Sequence, residues 1–419
     1  MSQTPDATPS RTIGRRGLLT GALLGGIGLV SGAGSAQAAR LAVPSTLKAH
    51  PAMVHTRADL GRVAARIDAG AQPWTDGWAR LVSNSHSQSG WRARPQAVAY
   101  RGSGTPDNSK ILFNDVHAAY QNALRWRIDR SVANGDAARD ILNAWSATLT
   151  QINGTADRFL LAGIQGYQFA NAAELMRGYP GFNLARFQSM MLNVFYPLND
   201  SFMTNHNGAF ITNYWANWDL MNTASVLAIG ILCDDQAKID RATTYFLSGP
   251  GNGALPNAAP VVYDDGTAQW VEAGRDQGHA TLGIGLAGAI CEMGWNQGVD
   301  LYGALDNRFL RAAEYVAKYN LGQEVPYTPY IWHKGAPGVW SGWETFTAAS
   351  PASRGTIRPI WASIYNHYAR RRNLPCPNIA AMMAVVGTEG GGGNYGPNSG
   401  GYDQLGFGTL MSTADTVSR

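Results

Sequence analysis

Residues 272–289 read Glu-Ala-Gly-Arg-Asp-Gln-Gly-His-Ala-Thr-Leu-Gly-Ile-Gly-Leu-Ala-Gly-Ala. From Ala280 onward small and apolar side chains occupy every face, and a helix of that kind is stable only when neighbours cover it all round. The charged cluster Glu272 to His279 stands at its entrance. The rest of the chain supplies the covering helices. Thr56 and Asp59 form a capping box ahead of Leu60, Val63, Ala64 and Ile67, which fall at i, i+3, i+4 and i+7. Similar patterns recur at about 114–129, 136–152, 157–177, 184–196, 214–232, 235–247, 274–293, 301–321 and 358–372. The best strand signal, Pro260-Val261-Val262-Tyr263, is short. About ten helices without sustained period-two alternation predict an all-α architecture of stacked helical hairpins.

Two irregular stretches, 87–113 and 322–357, interrupt this pattern, and long connections of that sort are usually functional or disordered. The second carries Tyr327, Tyr330, Trp332, Trp340 and Trp343. Such rings either pack back on the helices or offer faces on which sugars stack. The tail from Gly387 to Gly408 is rich in Gly, Asn and Tyr; without Gly-Lys-Ser/Thr it does not read as a phosphate cradle, and a loose covering loop is expected.

Residues 1–38 read as an export leader. Arg15-Arg16 precedes a weakly apolar Gly/Ala/Leu run to about Val30, and Ala36-Gln37-Ala38 is a small-x-small cleavage site. Twin arginines fit the route that carries folded proteins. The remainder, 39–419, is read as one domain, with no apolar run long enough to span a bilayer. Charged residues make up 15% of the chain and there is no basic stripe, so neither nucleic acid nor a membrane is an expected partner. A monomer is expected. Cys233, Cys291 and Cys376 read mostly as buried free thiols, with a Cys233–Cys291 pair left open in an exported protein. The histidines are scattered, His-Glu-x-x-His is absent, and Asp264-Asp265 lacks the alternation of a calcium loop, so no catalytic metal is expected.

If residues 274–293 are helical, Arg275 and His279 are four apart and share a face. A guanidinium beside an imidazole suits a polyanionic substrate from which a proton must be moved. Asp276 can orient either group. Glu272 can pair with Arg275 at i, i−3.

Asn205-His206-Asn207-Gly208, Ile211-Thr212-Asn213-Tyr214-Trp215-Ala216-Asn217-Trp218, the Glu272–His279 cluster, Pro326-Tyr327-Thr328-Pro329-Tyr330 and Arg358-Pro359-Ile360-Trp361 with Tyr365-Asn366-His367-Tyr368 together resemble the alginate lyase family. Their order is similar, more narrowly, to polysaccharide lyase family 38. The likeness runs from about residue 50 to 385. It implies an incomplete (α/α) toroid with a cleft across one end, an acidic polysaccharide as partner, β-elimination of a polyuronate, and no redox cofactor.

Elimination removes the C5 proton of a uronate, stabilises its carboxylate as charge develops, and protonates the departing O4. Donors aimed at developing charge contribute most, and a tuned tyrosine or histidine moves the proton. In toroid alginate lyases the carboxylate clamp is an Asn-His pair in an Asn-Asn-His motif shortly before a tryptophan. Here the matching stretch, Ile211 to Trp215, lacks the histidine. Asn213 with another donor, or the upstream Asn205-His206 pair, is the candidate clamp together with Arg275. Asn213 also suits a helix N-cap, and Asn205 to Gly208 suits a turn. The resemblance places His279 where relatives carry a proton-transfer residue, often tyrosine. It offers Tyr330 as base and acid, with Tyr327 close behind; an unperturbed phenol near about 10 would need a cation such as Arg275 to reach the phenolate. Trp215, Asn217, Arg354 and Arg358 complete the candidate substrate contacts, the two arginines alternatively serving as helix-end partners. A glycoside hydrolase on a similar toroid would instead need two carboxylates across the scissile bond, drawn from Asp264, Asp265, Glu272 and Asp276. A non-catalytic sugar-binding protein would need the aromatic cleft alone.

Overall fold

A computed structural model describes residues 49–103, 107–336, 342–393, 395 and 402–414, all within one compact unit, Leu41–Arg419. The expected leader, with Arg15-Arg16, and Trp340 lie outside the described residues.

The described chain is an (α/α) toroid. Helices α1 (Arg57–Asp68) and α2 (Trp74–Ser83) precede α3 (Ser109–Asp129), α4 (Val132–Thr148), α5 (Asp157–Met176), α6 (Leu184–Met190) and α7 (Tyr196–Asn205). Then come α8 (Ala216–Leu232), α9 (Gln236–Ser248), α10 (Leu255–Ala258), α11 (Gln277–Asn296), α12 (Ala304–Asn320), α13 (Trp361–Tyr365), α14 (Pro377–Val386) and α15 (Gly408–Ser412). The inner row is α3, α5, α8, α11 and α13, each against the next, while α4, α9 and α12 lie outside α3, α8 and α11. Composition sorts them. In α5 every residue from Leu161 to Met176 is buried, and in α8 every residue but Trp218, whereas α1 buries only Leu60 and Val63. Inner helices approach closely because glycines face larger partners: a Cβ on Gly166 would meet Ser225 Oγ at 2.2 Å.

Three pairs of short strands accompany the helices: β1 (Val98–Arg101) parallel to β2 (Gln151–Gly154), β3 (Val261–Val262) antiparallel to β4 (Ala268–Gln269), and β5 (Tyr330–Lys334) antiparallel to β6 (Gly342–Phe346). The helix expected over 136–152 therefore stops at Thr148, where the chain turns extended and β2 takes over. The hairpin β5–β6 lies in the stretch expected to be irregular. The helix expected from 358 begins at Trp361 and passes into a π-helical turn, Asn366–Arg371. The capping box at Thr56 is present, with Asp59 N–H donating to Thr56 Oγ1 at 3.2 Å and Thr56 N–H donating to Asp59 Oδ2 at 2.9 Å. All three cysteines are free thiols, so the open Cys233–Cys291 pair is not formed. Among the described residues no helix is long and apolar enough to cross a membrane.

The described ends of the glycine-rich tail, 387–393 and 402–408, pack inward, and most of its middle lies outside the described residues. Glu389, Asp403, Gln404 and Phe407 are buried, and Gly391 bridges Gly406 where two passes of chain lie side by side. A Cβ on Gly392 would strike the Gln404 carbonyl oxygen at 1.7 Å, so the glycines are what let this tail enter the core. Glu389 accepts the backbone N–H groups of Trp361 and Ala362 at 2.8 and 3.0 Å. Burial nonetheless pushes its carboxyl from 4.5 up to about 7, and Oε2 has no hydrogen-bond partner. A carboxyl raised in the folded state favours folding below its unfolded value and loses that contribution as pH rises through about 7. Glu389→Gln is therefore expected to raise the thermal midpoint at pH 8 relative to the parent and to flatten its fall between pH 5 and 8; calorimetry across that range reads both.

Candidate active site

Helix α11 begins at Gln277, not at 274, because Asp276 is its N-cap, in extended geometry at φ −171° and ψ 162°. Arg275 thus lies in the turn before the helix and does not share a helical face with His279. One carboxylate joins them instead. Asp276 Oδ1 accepts the His279 N–H at 2.8 Å, Oδ2 takes His279 Nδ1 at 2.7 Å, and Arg275 Nε lies 3.7 Å from Oδ2. Burial would raise the Asp276 carboxyl, but the His279 hydrogen bonds and the Arg275 charge hold it below its ordinary value. With Nδ1 facing a carboxylate, that nitrogen carries the hydrogen, and Nε2 of a neutral ring is the bare acceptor. The ring is partly exposed, its side chain 16% accessible.

Arg275 extends over the Trp215 ring, 5.5 Å from its centroid, and stays 27% accessible. Beneath it Glu272 is fully buried. Its Oε1 accepts Asn217 Nδ2–H at 2.5 Å and Arg275 Nη1–H at 3.3 Å. The Glu272–Arg275 pair read from spacing is therefore real, but it is a buried tether and not a surface pair. Burial raises the Glu272 carboxyl against the opposing pull of Arg275, His279 and the Asn217 hydrogen bond. Asn217 stands in the first turn of α8 and Trp215 at its N-cap, both buried.

The hairpin closes the other side. Rings of Tyr330, Trp332 and Phe346 meet Trp215 at 5.7, 5.0 and 5.5 Å between centroids. Tyr330 Oη donates to Asn252 Oδ1 at 3.4 Å. Its phenol is pushed up to about 12, by burial first, with Glu272 adding and Asn252 opposing. That is opposite to the lowering by Arg275 expected of a phenolate base, because burial outweighs the Asn252 hydrogen bond and the charge that acts on the phenol is Glu272. Such a phenol keeps its proton at neutral pH and can serve as an acid. Tyr327 is also pushed up to about 12 by burial; its buried Oη has no hydrogen-bond partner and abuts Gly274, where a Cβ would come within 2.1 Å.

Asn213 belongs to the hairpin's fastening. Its Oδ1 accepts the Gly335 N–H at 2.7 Å and its carbonyl accepts Trp332 Nε1–H at 3.2 Å, while Thr212 Oγ1 donates to the His333 carbonyl at 2.7 Å. It does not cap α8, whose N-cap is Trp215.

Four other candidates are placed away from this cluster. His206 adopts a left-handed conformation, φ 45°, which folds its ring inward onto Asp219 at 2.8 Å and Tyr245 at 2.9 Å; it is buried and not available as a clamp. Asn205, exposed at the end of α7, leads into that turn and shares no hydrogen bond with the Glu272 cluster. Arg354 is spent on the C-terminal end of α12, donating to the carbonyls of Tyr319 and Gln323 at 2.7 and 2.8 Å, where a cation also meets the helix dipole. Arg358 is sealed in the interior, paired with Asp403 at 3.0 Å and donating to the Gly278 carbonyl at 2.6 Å. A buried guanidinium needs such partners, and none of its reach is left for substrate. Sequence reading missed Asn252, which sits in a glycine-rich loop that reads as an ordinary turn. Three of the four acids a hydrolase would draw on are engaged, Glu272 by Asn217 and Arg275, Asp276 by His279, and Asp265 by Thr267 and Lys318, while Asp264 is exposed.

The family model described as Alginate lyase matches residues 87–325. No curated protein matches the chain. Among solved structures, a variant of alginate lyase A1-III complexed with tetrasaccharide superposes with a TM-score of 0.56 at 14% identity, covering 88% of this chain and 98% of that one. A second variant of the same lyase with tetrasaccharide gives 0.55 at 13% identity, over 88% and 97%. Alginate lyase A1-III from Sphingomonas species A1 gives 0.50 at 12%, over 88% and 100%. At these identities the likeness is one of fold.

If the Asn213 side chain fastens the hairpin, Asn213→Ala releases a bond worth about 1 kcal/mol. Amide exchange at Tyr330–Lys334 is expected to quicken about fivefold, measured by hydrogen exchange and mass spectrometry; unchanged exchange there would show that the contact carries no strength.

Proposed function

Since the chain belongs to the alginate lyase family and is a polysaccharide lyase, we propose that it cleaves a polyuronate by β-elimination. The substrate would be alginate, in its mannuronate-rich portions, or glucuronan. The arrangement on Asp276 carries this reading, because one carboxylate presents a guanidinium and a correctly oriented imidazole side by side. Arg275, partly exposed above Trp215, receives the uronate carboxylate. His279 Nε2 takes the C5 proton; Asp276 holds the tautomer and offsets the imidazolium that results. Tyr330, protonated at neutral pH, gives its proton to O4 as the C4–O4 bond breaks. The C5–H electron pair becomes the C4=C5 double bond, leaving an unsaturated uronate end and a new reducing end. Asn213 retains its Nδ2–H group toward the substrate carboxylate, and Tyr327 backs Tyr330. The motif order favours polysaccharide lyase family 38 within the family. The twin-arginine leader supports export to the periplasm or medium, where such polymers are met, and the protein would act there as a monomer.

Incubation of the mature protein with alginate, glucuronan and a neutral glucan tests the reading. Ultraviolet absorbance of unsaturated ends should rise in step with reducing ends on a polyuronate alone. Reducing ends without absorbance would identify a hydrolase. His279→Ala and Tyr330→Phe are each expected to lower kcat by about a hundredfold or more while the protein stays folded. Full activity in both variants would remove these residues from the reaction.

A further inference from the structure

Glu272 is a burial cost without an evident structural return. Its carboxylate is 0% accessible, only Oε1 is hydrogen-bonded, and Oε2 has no partner. Leaving a buried charged group half satisfied is costly, and a buried ion pair is weak evidence for stability. What the carboxylate does accomplish is geometric. Its one ligated oxygen holds Asn217, from the first turn of α8, and Arg275, from the turn before α11, at 2.5 and 3.3 Å. Among the described residues no other hydrogen bond joins Arg275 to a side chain, its approach to Asp276 being 3.7 Å. The groups whose charges meet at this carboxyl are Arg275, Asp276 and His279 on the α11 side and Tyr330 on β5.

We propose that Glu272 is a positioning residue for the lyase reaction, tying Arg275 to Asn217 so that the guanidinium is held over Trp215 where the uronate carboxylate is received. This rests on the polyuronate reading above. A long arginine side chain in water samples many rotamers, and fixing one in advance lowers the entropy lost when substrate is gripped. The tether needs an acceptor oxygen at Oε1, so glutamine can replace glutamate there and leucine cannot.

Two variants separate positioning from plain structure. Glu272→Leu keeps volume and removes the tether; it leaves the buried Asn217 amide without its acceptor and is expected to melt below the parent while remaining folded. Its kcat/KM on the polyuronate at a temperature where it is fully folded should fall at least about tenfold, and oligouronate affinity should weaken with it. Glu272→Gln is expected to recover most of both. A readout independent of turnover is the order parameter of the Arg275 Nε–H group in the mature protein, labelled at arginine and assigned with Arg275→Lys. It should drop in the leucine variant and return in the glutamine variant. An Arg275 as rigid with leucine as with glutamate overturns the proposal, as does a leucine variant of undiminished kcat/KM. If the parent forms no unsaturated ends from any polyuronate, the functional reading fails, while the order parameters still decide whether Glu272 positions Arg275.

Discussion

The carboxylate of Asp276 is where architecture and chemistry meet. One oxygen caps α11, accepting the N–H of His279; the other fixes the imidazole of the same residue. A cap of this kind stabilises a helix by about 1 kcal/mol. Here it also decides which nitrogen of His279 bears the hydrogen. The constraint is shared, so the start of α11, the tautomer of His279 and the neighbourhood of Arg275 cannot vary independently. Everything polar at the entrance is arranged around that fixed point: Glu272 below, Trp215 as a platform, and the hairpin as the opposite wall.

The platform depends on how the inner helices are made. Residues apolar on every face force α5, α8 and α11 into the interior, and glycines such as Gly166 let them approach. Their N-terminal ends then present Trp215, Asn217 and His279 together. The described residues of the hairpin are attached to this base through Asn213, Thr212, Phe210 and Asn252 and by rings meeting Trp215. Covering a polar entrance with an aromatic hairpin buries the phenol of Tyr330 and raises it to about 12. The surroundings thus leave the phenol of Tyr330 with its hydrogen at neutral pH, while Asp276 turns Nδ1 of His279 toward itself.

Periodicity in the sequence carries most of the fold, because the inner helices are too apolar to be anything but buried and the outer ones show one clean stripe. Where it misleads, a local interaction prevails over the period. Asp276 delays α11 by three residues, and β2 claims residues expected in α4. The hairpin at 330–346 was hidden because its alternation is short and aromatic on both faces. At the site, Arg275, His279 and Trp215 were legible as residue types at a charged entrance. His206, Arg354 and Arg358 were equally plausible by type, yet a left-handed turn, a helix C-terminus and a buried ion pair consume them. Asn252 and the tethering use of Glu272 depend on contacts between distant segments, which no spacing encodes.

The most direct test is a crystal structure of the mature Tyr330→Phe protein with a bound oligouronate. The account predicts a sugar carboxylate on the Arg275 guanidinium, the C5 hydrogen directed at His279 Nε2, and O4 facing the ring at position 330. An oligouronate bound away from Arg275, or one whose C5 is turned from both His279 and position 330, would contradict it.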